Sequence, residues 1–137
     1  MSAFLDTNIL LYSIATKSDE LHKRQVAIAL LETEDLRLSV QVLLEFYAQA
    51  TRATAAHAIR HEDATELIAA WRRFPVIETT LALFDRGIGI RAATGFSLWD
   101  AMIVAAALES GCHRLFSEDL QHGRNIEGVQ IINPFRT

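Results

Sequence analysis

Short apolar runs alternate along this chain with segments of helical length, and that alternation leaves few folds open. Ala3-Phe4-Leu5, Leu36-Arg37-Leu38-Ser39-Val40, Val76-Ile77, His113-Arg114-Leu115-Phe116-Ser117 and Val129-Gln130-Ile131-Ile132 read as strands. Each is too short for a helix and is bounded by polar or turn-forming residues. Helical patterns lie between them: residues 9–15, a segment carrying Leu21, Ile28 and Leu31, residues 41–52, a stripe of Ala64, Leu67, Ile68 and Trp71, residues 80–93 with Leu81, Phe84, Ile88 and Ala92 in line, and residues 97–111. Strands joined through helices pair in parallel, and a parallel sheet needs both faces covered. The pattern predicts an α/β fold: one domain over residues 1–137, with a five-stranded, mostly parallel sheet surrounded by helices. Gly87 and Gly89 each cost about 1 kcal/mol in a helix interior, so they predict close approach of another backbone.

Composition narrows the functional classes. Half of the 137 residues are hydrophobic and only two are proline, which speaks for a packed domain rather than a disordered arm. No apolar run approaches the ~20 residues of a membrane span, and the N-terminus lacks the residue order of a secretory signal. Cys112 is the only cysteine, which rules out an internal disulfide and fits the cytoplasm. Thirteen Lys and Arg against seventeen Asp and Glu give a net charge of −4. A chain so charged does not hold nucleic acid by bulk charge, although bound cations can reverse the sign locally.

The acids are the informative residues. Asp6 ends the first strand, and Asp119 lies just past the end of the fourth. Glu45 is early in the helix after the second strand, and Asp100 is in the first turn of the helix leading to the fourth. Parallel strands put their C-terminal ends on one edge, where helices begin and ligands bind. Each acid also admits a local reading. Asp6 or Thr7 can cap the first helix, Ser97 with Asp100 resembles a capping box, Asp119 with Ser117 fits an ordinary turn, and Glu45 can favour a helix N-terminus or face solvent. Four acids at one rim, however, repel one another and raise one another's pKa. A divalent cation resolves that conflict.

Carboxylates without clustered His or Cys suit a hard ion, Mg²⁺ with Mn²⁺ as substitute, rather than zinc. His57 and His61 stand four apart, but Ala58 occupies the position where a zinc protease needs Glu, so they read as a surface pair. Hard ions activate water and steady the leaving oxygen in phosphodiester hydrolysis. There is no Gly-rich phosphate loop with a Lys and no G-x-S-x-G elbow. A haloacid-dehalogenase-type phosphatase needs an Asp where this chain has Asn8. Cys112 opens a buried strand with His113 turned to the other face, which makes a poor thiol nucleophile. His22, Lys23 and Arg24 read as a solvated helix face.

The ordered segments Phe4-Leu5-Asp6-Thr7-Asn8, Ser39-Val40-Gln41-Val42-Leu43-Leu44-Glu45-Phe46, Leu98-Trp99-Asp100-Ala101-Met102-Ile103-Val104, Leu115-Phe116-Ser117-Glu118-Asp119-Leu120, Gly128-Val129 and Asn133-Pro134-Phe135 resemble those of PIN-domain ribonucleases, in particular VapC-type toxins of bacterial toxin–antitoxin pairs. The resemblance spans the chain. It implies a metal-dependent endoribonuclease whose acidic site maps onto Asp6, Glu45, Asp100 and Asp119, with Asn8 and Ser117 in support. Asp6, Asp100 and Asp119 would hold the metal, and Glu45 would complete a second metal position or orient the attacking water. It further implies RNA as substrate, a homodimer, and a VapB-like antitoxin as partner. The other readings are a catalytically silent PIN-like binding module and a magnesium-dependent phosphatase. Residues 53–63 match nothing specific.

Overall fold

The computed structural model describes residues 1–55 and 57–136, and in it the alternation becomes a layered α/β fold. In chain order the elements are β1 (Ser2–Leu5), α1 (Thr7–Ser13), α2 (Leu21–Thr33), β2 (Asp35–Ser39), α3 (Val40–Ala50), α4 (His61–Trp71), β3 (Val76–Ile77), α5 (Leu81–Thr94), α6 (Leu98–Glu109), β4 (Arg114–Phe116), β5 (Asn125–Ile126) and β6 (Val129–Ile132). The sheet order is β3-β2-β1-β4-β6-β5. All neighbouring strands are parallel except β5 and β6.

β1 lies in the middle because it can. Ala3, Phe4 and Leu5 have no exposed surface, as a strand covered on both faces requires. Phe4 stands opposite Arg37 of β2 on one side and Leu115 of β4 on the other. From β1 the chain adds strands outward to β2 and β3, then returns to start again at β4. The strand order thus reverses between β1 and β4, and the connections after these two strands diverge to opposite sides, leaving a crevice at their C-terminal ends. α6 runs through the core, with every residue from Ala101 to Ala107 buried. Phe46 of α3 meets Trp71 of α4 edge to face at 4.7 Å.

Three expectations need correction. The sheet has six strands, not five. The extra one, β5, is two residues long and turns back on β6 through Glu127 and Gly128, both at positive φ (50° and 100°). That pair of conformations is the tight hairpin turn that matches strand twist, but Glu in place of Asn or Asp hides it in the sequence. The α5 line of Leu81, Phe84 and Ile88 faces outward, with Leu81 82% exposed. Leu83, Gly87 and Ile90 face the core instead. Finally, only one of the two helical glycines is at a close approach, and mainly to a side chain: a Cβ on Gly87 would lie 2.3 Å from Met102 Sδ of α6, whereas one on Gly89 would meet nothing. Gly87→Ala is therefore expected to cost about 1 kcal/mol, overpacking outweighing the gain in helix propensity, while Gly89→Ala gains about 1 kcal/mol. Urea unfolding midpoints of the two proteins, moving in opposite directions, check this.

Among the described residues, no single helix is long and apolar enough to cross a membrane.

Candidate active site

Asp6 continues the β1 ladder by donating its backbone N–H to the Phe116 carbonyl at 3.0 Å. Its extended backbone then hands over to α1, which it caps: Oδ1 accepts the Thr7 N–H at 2.7 Å. The other oxygen, Oδ2, accepts the Ser117 hydroxyl at 2.7 Å. The cap and the site therefore use different oxygens of one carboxylate, so the two readings of Asp6 do not compete. The residue is only 7% exposed.

Ser117, fully buried just beyond β4, is a hub. While its hydroxyl donates to Asp6, its oxygen accepts the backbone N–H groups of Asp119 at 3.2 Å and Leu120 at 3.3 Å. Asn8, in the first turn of α1, ties the same loop from the other side. Its Nδ2 donates to Asp119 Oδ2 at 3.1 Å, and its Oδ1 accepts the Glu118 N–H at 3.2 Å. Ser117→Ala should cost about 2–3 kcal/mol, because it removes a bond to a buried carboxylate and strands two backbone donors. Chemical denaturation of the two proteins measures it.

Glu45 reaches the rim from α3. Its Oε1 accepts the Thr7 hydroxyl at 2.8 Å, and Gln41 on the same helix donates to Oε2 at 3.5 Å and to the Trp99 carbonyl at 3.0 Å. Gln41 thus connects α3 to the first turn of α6, where Asp100 lies. Ser97 caps that helix by accepting the Asp100 N–H at 3.1 Å, which leaves the Asp100 carboxylate free to face the site. Burial raises the pKa of Asp6 from 3.8 to about 6. The bonds from Ser117 and Thr7 pull it down, and the negative charges of Asp100 and then Glu45 push it up again. Asp6, Asp100 and Glu45 therefore share one electrostatic neighbourhood, and Asn8 ties Asp119 to it.

The donor set fits a hard divalent cation: carboxylate oxygens from four separate places in the fold, one of them buried and raised in pKa to about 6, chiefly by that burial. Among the described residues no three His, Cys, Asp or Glu side chains stand close enough to grip an ion as they are placed. A cation held by these acids would have to bring their oxygens within its short ligand distances. His57 does not share a helix with His61: it precedes α4, whereas His61 opens that helix and bonds the Tyr47 hydroxyl at 2.9 Å.

Three contributors carried no recognisable signal in the sequence. Thr7 and Gln41 hold Glu45. Lys23, expected on a solvated face, instead pairs with Glu118, which also accepts the Tyr12 hydroxyl at 2.5 Å. Burial would raise the Glu118 pKa, but Lys23 and Tyr12 hold it below the usual value. Together they clamp the loop bearing Ser117 and Asp119 to α1 and α2.

The family model of the PIN domain matches residues 3–125. The chain belongs to the PIN domain family. All four acids of the rim fall within the matched span. The PIN domain described here is similar in fold to a toxin–antitoxin complex chain from Klebsiella pneumoniae, with a TM-score of 0.73, 20% identity, and coverage of 98% of this chain and 99% of that one. It is also similar to VapC20 of Mycobacterium tuberculosis, described as a toxin cleaving the sarcin–ricin loop (TM-score 0.64, 20% identity, 85% and 91% coverage). A third similar structure is DNA-bound VapBC from Salmonella typhimurium (TM-score 0.64, 20% identity, 96% of both chains). None of the curated proteins matches the sequence.

Proposed function

We propose that this PIN domain is a metal-dependent endoribonuclease and the toxin of a toxin–antitoxin pair, working in the cytoplasm. The observation that carries the reading is the placement of Asp6: a carboxylate at the strand-order reversal, raised in pKa first by burial and further by the charges of Asp100 and Glu45, and tied through Asn8 to Asp119. Asp6, Asp100 and Asp119 hold the cation, Mg²⁺ with Mn²⁺ as substitute. Glu45 completes a second ion position or orients the attacking water, held for that role by Thr7 and Gln41. Bound there, a divalent ion supplies positive charge to the phosphate and a water nucleophile usable near neutral pH. Ser117 and Asn8 fix the orientation of Asp6 and Asp119.

The similar toxin–antitoxin structures support a VapB-like antitoxin as partner. The uncovered apolar side chains of Leu81, Phe84 and Ile88 on α5 support self-association as a homodimer.

The test is internal cleavage of single-stranded RNA by the purified protein, with Mg²⁺ or Mn²⁺ and with the ion chelated. Ion-dependent internal cuts are expected. Turnover of phosphomonoesters without cutting RNA would make the protein a phosphatase. Binding of an antitoxin with neither activity would make it a silent module.

A further inference from the structure

Beside the acidic site, between α1 and the end of α3 with the connection that follows it, lies a cleft of about 330 Å³. We propose that this cleft seats one unpaired nucleobase of the RNA, the one adjoining the scissile phosphate. The proposal rests on the nuclease reading above and adds where that site takes hold of its substrate.

Position is the first argument. Asn8, Glu118 and Asp119 line both the cleft and the acidic rim, so whatever fills the cleft lies directly against the reacting centre. A phosphate drawn to the acids by a cation brings its own nucleoside to the mouth of this cleft.

Size is the second. The volume stands at the lower end of the roughly 300–1,000 Å³ of small-molecule sites. A base or nucleoside fits; a helix about 10–12 Å across does not. Alanines create the space: Ala15, just after α1, lines the cleft with Ala50 at the end of α3, and Ile14 adds apolar wall for the flat faces of a base.

Chemistry is the third. The rim carries Lys17, Glu20, Gln49 and His57. That mixture of donors and acceptors is of the kind that reads base edges, which are accessible only in unpaired RNA. Lys17 also offers a cation to a neighbouring phosphate. With a net charge of −4, the protein has no bulk attraction for a polyanion, so recognition has to be built from local contacts like these.

The experiment uses the full-length protein. Ala15→Leu fills the cleft from the connection after α1, which carries no acid of the rim, and Gln49→Ala and His57→Ala alter only exposed rim groups. Ala15→Leu is expected to raise KM for RNA about tenfold or more and leave kcat within about threefold, as removal of a binding contact away from the reacting atoms does. Gln49→Ala and His57→Ala should flatten the base preference next to the cut in a randomised RNA pool by about tenfold. In the non-cutting Asp100→Asn background, Ala15→Leu should weaken RNA binding read by fluorescence anisotropy. Wild-type cutting with KM, anisotropy and base preference unchanged in all variants would overturn the proposal and leave the nuclease reading standing. Unchanged RNA parameters with weakened antitoxin binding would overturn it in favour of a protein segment in the cleft. A wild type that cuts no RNA removes both readings.

Discussion

Asp100→Asn is expected to cut RNA about a thousandfold more slowly than the wild type, a loss of about 4 kcal/mol of transition-state stabilisation, with no loss of folding stability. The reasons for the two halves differ. The carboxylate sits in the first turn of α6, where a negative charge gains about 0.3–1 kcal/mol from the helix dipole. Against that, it repels Asp6 across the crevice. Removing it forfeits one term and relieves the other, so the unfolding midpoint should stay near that of the wild type. Ser97 continues to cap the helix, because it binds the Asp100 backbone rather than the side chain. Cleavage assays with saturating Mn²⁺, beside urea unfolding curves, separate loss of function from loss of fold. A variant that folds normally and cuts at wild-type rate would remove Asp100 from the site.

The second large effect is on stability, and its sign is the reverse of the common one for acids. In the unfolded chain Asp6 ionises near 3.8, but in the folded protein only near 6. Between those values the folded state holds a proton that the unfolded state has released. Stability therefore falls as pH rises through this window. The contribution is fully present below about 3.8 and lost above about 6, and the move from one to the other amounts to about 3 kcal/mol. Asp6→Asn removes the effect. The difference between variant and wild-type unfolding free energies, measured without divalent ions, should grow in favour of the variant by about 3 kcal/mol from pH 3 to pH 7. Titrating groups remote from Asp6 cancel in that difference, and relief of the repulsion on Asp100 and Glu45 acts in the same direction, in favour of the variant at pH 7. Adding Mn²⁺ at pH 7 should stabilise the wild type by about 2.7 kcal/mol at a hundred times the dissociation constant, and the Asn variant far less. A flat difference curve would mean that the carboxylate is not held as described.

What could be read in the sequence was what depends on position along the chain. Asp6 and Asp119 announce themselves by following apolar strands, and Asp100 by opening a helix three residues after Ser97. Once the strands are parallel, these places share an edge. What depends on reach could not be read. Glu45 was legible as an acid among apolar neighbours, but its bond to the Thr7 hydroxyl crosses between elements 38 residues apart. Lys23 looked solvated because the acid it meets lies 95 residues on. The α5 stripe shows a different limit. Periodicity reports that Leu81, Phe84 and Ile88 share a face, not that α6 covers the other one, and Gly87 marks the covered face by lacking a side chain. β5 escaped because its turn carries Glu127 where Asn or Asp would mark a tight hairpin.

The bond between Asp6 and Ser117 joins an early segment of the chain to a late one, with 111 residues between the partners, so Asp6 leaves a ribosome long before the group that orients it. A nascent chain that stops before β4 lacks the loop that carries Ser117 and Asp119. By splitting its crevice between β1 and the loop after β4, the fold makes the acidic rim one of the last parts of the domain to be assembled during synthesis.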